Sequence, residues 1–383
     1  MKDQGYSGQG NKWQTVPLAE AAVIGAGNSA PQGKELFKNG HHPFIRTSDV
    51  GQIGFGEIGH ARDLLNDAGV EKLRRVPKGA ILMPKSGAST FLNHRVETAV
   101  DAYISSHLAT IEAREGKALP RYLLYYLSTV RAQDLIQDHK YPSLTLGVIS
   151  KILVPLPPLE EQKRIVAVLD QAFAALDRAR ANAEANLADA EKLFENHLRL
   201  TFADLLASWG SLPFDKACET ITPVAKIQQR DYLTKGEFPI VAQGAEFVAG
   251  YWNDYSAVTE TGGPVVIFGD HTRHLKHVDF TFVAGADGTK ILRPVDGLRS
   301  DFLFFALRSQ PIEVTGYARH FKFLKEKVVP ELPMPDQETL CRSLWEMEGE
   351  CNRLQANYEQ KLTDISDLRQ SLLQKAFSGQ LTA

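Results

Sequence analysis

The densest polar run in the sequence is Asp270-His271-Thr272-Arg273-His274-Leu275-Lys276-His277. It follows Pro264 to Phe268, an apolar β-branched run that reads as a buried strand, so it belongs to a strand-end loop. His271, His274 and His277 recur every third residue, a spacing that raises metal ligation. A loop gives no helical face to gather them, so no metal site is assigned. The residue types suit DNA better: Arg273 and Lys276 can donate to guanine edges or phosphates, with His271 and Thr272 beside them. A solvated loop is the plainer alternative. In the first half, Ala80 to Met83 reads as a strand and leads into Pro84-Lys85-Ser86-Gly87-Ala88-Ser89-Thr90. Lys85, Ser86, Ser89 and Thr90 offer donors to a phosphate, and Gly87 permits close backbone approach. Asn93, His94 and Arg95 continue the polar run, and an ordinary hairpin turn explains the same residues equally well. Two further basic-aromatic stretches match in position: His139-Lys140-Tyr141-Pro142-Ser143-Leu144-Thr145 and Tyr317-Ala318-Arg319-His320-Phe321-Lys322. Lys140, Ser143, Thr145, Arg319 and Lys322 are their contact candidates, and the aromatics are assigned to the core.

Signatures of catalysis do not accompany these loops. Gly54-Phe55-Gly56-Glu57-Ile58-Gly59 fits GxGxxG, but its flanks are polar and glycine-spaced, so it reads as a glycine-rich loop and not a dinucleotide site. No phosphate-binding GxxxxGK[ST] motif, amino-methyltransferase tetrad or nuclease carboxylate cluster occurs, and no catalytic residue is assigned. The three cysteines, Cys218, Cys341 and Cys351, form neither a CxxC pair nor a disulfide framework. Cys351 lies on an apolar helical stripe and reads as a buried, inert thiol. No apolar run reaches the roughly 20 residues of a membrane span. Residues 1–12 are polar, lack a signal-peptide core and read as a disordered lead-in, so a cytoplasmic location is expected.

Two segments must position the loops. Ile165, Leu169, Ala172, Leu176, Ala179, Ala183, Leu187, Ala190, Phe194 and Leu198 recur at steps of three or four. Leu340, Leu344, Met347, Cys351, Leu354, Tyr358, Leu362, Ile365, Leu368 and Leu372 do the same. Each stripe predicts a helix of about 40 residues, roughly 60 Å, whose single apolar face needs a partner. The obvious partner is the other helix. Both start alike: Val154-Pro-Leu-Pro-Pro-Leu-Glu-Glu-Gln162 and Val329-Pro-Glu-Leu-Pro-Met-Pro-Asp-Gln337 align at an offset of 175 residues. The prolines enforce an extended approach, and the acids that follow favour a helix N-terminus. The chain therefore reads as an internal repeat of globular domain, proline turn and long helix.

The predicted divisions are a first globular domain at 13–155, a helix at 156–205, a second domain at 206–330, and a helix with a tail at 331–383. Helices near Tyr122–Gln137 and Asp301–Ser309, with several short strands, make each domain α+β or mixed α/β. Formal charge follows the same divisions: +4 over residues 1–155, −3 over 156–205, zero over 206–330 and −4 over 331–383. The acidic excess thus lies on the helices. The overall −3 suits a lone DNA-gripping protein poorly, because phosphate neutralisation supplies most affinity.

On these residues the chain resembles the specificity subunits of type I restriction–modification systems. The resemblance rests on the duplicated layout, Leu156-Pro-Pro-Leu-Glu-Glu-Gln-Lys-Arg-Ile165, and the end Leu368-Arg-Gln-Ser-Leu-Leu-Gln-Lys-Ala-Phe377-Ser-Gly-Gln-Leu381. Phe268-Gly-Asp-His-Thr-Arg273 and Met83-Pro-Lys-Ser-Gly87 resemble recognition-domain segments. The family implies two target-recognition domains in tandem, each reading half of a bipartite, asymmetric site on double-stranded DNA. It implies an antiparallel coiled coil that sets the gap between the halves and docks two methyltransferase subunits, with two restriction subunits beyond them. Glu160, Glu161, Gln162, Arg164 and Gln337 are then the partner-docking candidates. S-adenosylmethionine, ATP and Mg²⁺ would bind those partners, and this chain would carry no cofactor. The second helix start departs from the fuller Pro-Pro-Leu-Glu-Glu-Gln form. A stand-alone methyltransferase or nuclease with unfamiliar motifs, and a coiled-coil protein-interaction scaffold, are the competing readings.

Overall fold

The computed structural model describes residues 13–136, 138, 140–313 and 319–381. The lead-in assigned to residues 1–12 lies outside these, as do His139 and Tyr317. The chain divides into two compact units, Met1–Ala181 with Leu362–Ala383, and Asn182–Lys361. Each unit is mixed α and β, as the sequence leads one to expect.

In the first unit, Thr15–Pro17 pairs antiparallel with Leu153–Pro155 and ties the start of the domain to the proline turn. The main sheet has five strands in the order Ala22–Ala26, Leu108–Ala113, Ile81–Pro84, Arg95–Thr98, Phe55–Ile58. A smaller sheet joins Asp63–Leu65, His42–Ile45 and Tyr103–Ile104. Ile81, Met83, Ala109 and Ile111 place one face of the main sheet in a core with Tyr122, Leu123 and Leu127 of helix Pro120–Ser128. That helix stops well short of Gln137, and only a short 3₁₀ turn at Ala132–Asp134 follows. The GxGxxG stretch is not a loop. Gly54, at φ +70°, ends helix Thr47–Ile53, and Phe55–Ile58 then runs as an edge strand parallel to Arg95–Thr98. Helix before strand is the reverse of a dinucleotide fingerprint.

The second unit repeats this plan. Ser211–Pro213 pairs with Val328–Pro330, and Cys218–Ile221, Thr289–Pro294, Val265–Gly269 and Leu275–Val278 form the corresponding sheet, four-stranded among the described residues. Lys226–Ile227, Val283–Gly285, Phe238–Val241 and Gly250–Trp252 form the companion sheet. Helix Ser300–Arg308 buries Phe302, Leu303, Phe304, Phe305 and Leu307 and stands where Pro120–Ser128 stands in the first unit.

The long helices are Leu159–Ser208, of 50 residues, and Met334–Phe377, of 44. Within the first unit they run antiparallel. Asp177 bonds Arg369 at 3.0 Å, the Arg369 guanidinium lies 4.1 Å over the Phe173 ring, and Leu169 and Phe173 share a core with Leu373, Ala376 and Phe377. Within the second unit Phe194 and Leu198 share a core with Leu344 and Cys351, and the Gln355 amide reaches the carbonyl of Ala190. The apolar face decides the pairing. A buried Leu or Phe contributes roughly 1.5–3 kcal/mol, whereas an exposed i,i+3 pair such as Lys163–Glu160 is screened by solvent and contributes far less. Three predicted stripe positions, Ala179, Leu354 and Leu368, are exposed, and beside the last Arg369 takes the inward face over Phe55 and Phe173. Cys351 is buried as expected, and burial raises its thiol pKa, as it does for Cys218, pushed up to about 12.

Candidate nucleic-acid interface

In each unit three segments meet at one end of the main sheet. In the first, the backbone N–H of Lys85 donates to His107 at 2.9 Å, and Leu144 N–H donates to the carbonyl of Lys85 at 2.7 Å. Gly87 N–H donates to Pro142 at 3.0 Å, and Ser86 bridges Ser143 across the strands. The loop after Ile81–Pro84, the turn before Leu108–Ala113 and the stretch before the short helix Leu146–Ser150 thus form one surface. It gathers Lys85, Ser86 and Ser143 and adds His107, whose Nδ1 lies 2.7 Å from the Ser86 hydroxyl. Lys140 is exposed there. Tyr141, assigned to the core from sequence, is 72% exposed with the Lys140 ammonium 5.8 Å over its ring. An exposed aromatic beside a cation is the combination that stacks on bases.

The second unit builds the same junction from different residues. Asp270 N–H donates to Gly288 at 2.8 Å, His320 N–H donates to the Asp270 carbonyl at 2.8 Å, and the Asp270 carboxylate accepts from Phe321 N–H at 2.9 Å. These three bonds fix the loop His271-Thr272-Arg273-His274 against the turn at Gly288 and the stretch before helix Phe321–Leu324. The Thr272 hydroxyl donates to the Gln243 carbonyl, and the Gln243 side chain accepts from His271 N–H at 3.2 Å. Gly288, at φ +78°, leaves the room they need: a Cβ there would stand 2.6 Å from the Gln243 amide oxygen. Arg273 adopts φ +66°, and its guanidinium bonds the carbonyl of Ile312 at 3.2 Å. Arg319 and Lys322 are exposed at the same junction, and Lys290 joins them over the Phe321 ring at 5.1 Å.

Several candidates are interior instead. Lys276 is 5% exposed, and its ammonium donates to the carbonyls of Ala242 at 2.7 Å and Glu246 at 2.5 Å, so it braces a loop and presents nothing to DNA. Desolvation holds its pKa below the usual lysine value. Arg95 is 1% exposed and donates to the carbonyls of His94 and Val130, and burial lowers its pKa to about 10. Thr90 is fully buried in the 3₁₀ turn Ala88–Leu92. Asn93 ends that turn in the left-handed region, its side-chain amide bonded to Phe91, Gln133 and Ala132. Ser89 is half-buried and donates to Ser86 within the turn, while Thr145 is exposed but spends its hydroxyl capping helix Leu146–Ser150 through Val148 N–H.

The docking candidates divide in the same way. Glu160 and Arg164 are exposed and Glu161 half-buried, with Glu160 paired to Lys163 and Glu161 to Arg164. Gln162 and Gln337 are buried at 0% and 1%. Gln162 accepts from Leu119 N–H at 2.9 Å and donates to Lys117 and Pro157 carbonyls at 2.9 and 2.8 Å. Gln337 accepts from Arg299 N–H at 2.9 Å and donates to Gly297 and Leu332 carbonyls at 3.1 and 2.7 Å. Their side chains are used up inside the fold and cannot dock a partner.

The three histidines spaced by three do not converge. His277 turns to the helix side of its strand, its Nε2 2.9 Å from the Ser300 hydroxyl and its ring beside Phe304 and Trp345. Burial pushes its pKa below 6.5, with the carboxylates of Asp301 and Asp279 opposing. A base whose folded pKa is depressed binds fewer protons folded than unfolded. Stability therefore falls as pH drops below about 6.5 towards the folded value. His277→Gln should flatten this acid limb in unfolding titrations followed by tryptophan fluorescence, and an unchanged limb would assign it to other groups.

Two copies of one mixed module, each with a polar loop junction beside an antiparallel helix pair, define a duplicated scaffold. The sequence profile described as the type I restriction modification DNA specificity domain matches residues 10–186. A type I restriction enzyme EcoR124I/EcoR124II specificity subunit of Escherichia coli is 24% identical over 121 residues, 31% of this chain and 30% of that protein. A putative type I restriction enzyme specificity subunit of Haemophilus influenzae is 26% identical over 91 residues, 24% of this chain and 23% of that protein. Both alignments thus span less than a third of the relative. Among solved structures, a chain described under complex assembly and conformational transition of the type I R-M system superposes with a TM-score of 0.78 at 20% identity, covering 98% of this chain and 99% of that one. The HsdS subunit of Thermoanaerobacter tengcongensis superposes at 0.60 with 20% identity, covering 96% and 97%. Residues 10–186 thus resemble a type I restriction modification DNA specificity domain in sequence, and the chain as a whole shares the fold of these solved structures.

Proposed function

We propose that the chain is the DNA-reading subunit of a type I restriction–modification complex and does no chemistry itself. Each unit reads one half of a bipartite, asymmetric site on double-stranded DNA through its loop junction. Two methyltransferase subunits dock on the paired helices, with exposed Glu160 and Arg164 at one helix start among their contacts, and two restriction subunits complete the complex. S-adenosylmethionine, ATP and Mg²⁺ bind those partners, and the complex works in the cytoplasm. Among the described residues no helix is long and apolar enough to cross a membrane. The observation that carries the reading is the repeated junction. The same three-segment backbone frame, on the same module, presents Lys85, His107, Lys140 and Tyr141 in one unit and His271, Arg273, Arg319 and Lys322 in the other. A constant frame with variable polar side chains suits two different half-sites.

The test is methylation mapping with the chain reconstituted with its methyltransferase subunits. Arg273→Ala with Lys322→Ala should relax or abolish only one half-site, and Lys140→Ala with Tyr141→Ala only the other. Each lost base contact costs about 1–3 kcal/mol, so losing two lowers methylation of the full site at least about 30-fold. Unchanged mapping in both pairs would overturn the reading, as would methylation by the purified chain and S-adenosylmethionine alone.

A further inference from the structure

Outside the loop junctions, one side-chain group among the described residues is assembled with ligand geometry. His41, His42 and Asp67 each offer a ligand atom, and these atoms all lie within 4.8 Å of one another. His42 Nε2 is 2.9 Å and His41 Nε2 3.2 Å from the same carboxylate oxygen of Asp67. Nitrogen and oxygen ligands at about 2.0–2.1 Å around a tetrahedral ion stand about 3.3 Å apart, so these groups need to move little to share one.

The backbone holds the three in place. His41 N–H donates to the Leu65 carbonyl at 3.0 Å, and His42 pairs with Leu65 where strands His42–Ile45 and Asp63–Leu65 run antiparallel. Asp67 opens the turn after that second strand. Its neighbour Asn66 accepts from Gly69 N–H and donates to the carbonyls of Glu35 and Lys38, which fixes the turn. The His42 ring also rests edge-on against Tyr103 at 5.8 Å. Adjacent residues on an ideal strand point to opposite faces, yet the His41 and His42 rings are 4.1 Å apart on one side.

We propose that His41, His42 and Asp67 form a binding site for a transition-metal dication of the zinc class, with water completing the shell. Two imidazoles and one carboxylate favour Zn²⁺ over the oxygen-seeking Mg²⁺ or Ca²⁺. The ion would staple strand His42–Ile45 to the turn at Asp67. That strand pairs in parallel with Tyr103–Ile104, which leads into the turn bearing His107, so the staple would stiffen the sheet behind the loop junction.

Zinc titration of the purified full chain, by calorimetry and by competition with a chromogenic chelator, tests this. The expected result is one equivalent bound at low-micromolar affinity, with a melting temperature rise of about 2–4 °C at saturating zinc. Asp67→Asn, at a fully solvated position, and His42→Ala should each weaken binding at least tenfold. Magnesium should not compete. Absence of zinc binding tighter than about 100 μM, which is weaker than two imidazoles and a carboxylate should give, would overturn the proposal. So would unaltered stoichiometry and affinity in Asp67→Asn, which would place the zinc on other histidines.

Discussion

Gln162→Ala is expected to destabilise the first unit by about 3 kcal/mol, and Gln337→Ala the second by a similar amount. Each alanine orphans one backbone N–H and two carbonyls where the amide is buried, and each orphan costs about 1–3 kcal/mol less whatever entering water recovers. For units near 200 residues that is a fall of roughly 6–12 °C in the corresponding melting transition. The equivalent partners make the case specific. Leu119 and Arg299 are the residues from which helices Pro120–Ser128 and Ser300–Arg308 start, and Lys117 and Gly297 stand two residues earlier. One glutamine therefore joins the proline turn, the loop before the domain helix and the first turn of the long helix. Hydrogen exchange reads this directly: the Leu119 amide should lose protection in Gln162→Ala while Arg299 keeps it, and the reverse should hold in Gln337→Ala. Gln162→Glu keeps the acceptor but sets a carboxylate against two carbonyls. It should be as damaging at neutral pH and partly recover in mild acid, where the protonated acid again donates. A loss under about 1 kcal/mol with intact protection would mean that the three bonds contribute little net stability.

These glutamines also mark where the sequence stopped being legible. Their alignment at a 175-residue offset exposes the duplication, and the apolar stripes give both long helices. Polarity alone places Gln162 on the surface, because nothing local tells a solvated amide from one that finishes three backbone hydrogen bonds, two of them with residues some 40 positions away. Lys276 was more readable. It shares a strand face with buried Val278, so strict alternation points its side chain inward, and only the assumption that a cation seeks phosphate points it out. Arg95 gives no such hint, since its same-face neighbour on the strand is the half-buried Glu97. His107 and Gln243 carry no local signal. They reach the junctions through strand pairing, and the spacing between equivalent positions drifts across the repeat. Lys85 and Asp270 occupy the same place in the frame 185 residues apart, whereas Leu144 and His320 do so at 176. Loops differing in length between the copies cause this drift, so a single offset aligns the helix starts and misaligns the loops.

The helices make the last prediction mechanical. Four residues inserted into each, after Arg180 and after Lys361, add about 6 Å and a net rotation near 40°, at 1.5 Å and 100° per residue. Two base pairs of B-DNA span about 6.8 Å and turn roughly 70° in the same right-handed sense. The two changes agree in length and differ in twist by about 30°, which a few degrees of DNA untwisting per step can absorb. If each unit reads one half-site of a single duplex, the inserted chain should methylate sites whose gap is two base pairs longer. Both half-site sequences should stay the same, and activity on the original spacing should fall at least about tenfold, because the parent gap would now require compression and twist together. Inserting into one helix alone should instead abolish activity, since only one strand of the antiparallel pair lengthens and its apolar stripe no longer faces its partner beyond the insertion. Parent gap preference retained in the doubly inserted chain would rule out a helical spacer, and the separation of the half-sites would then have to be set by the methyltransferase subunits.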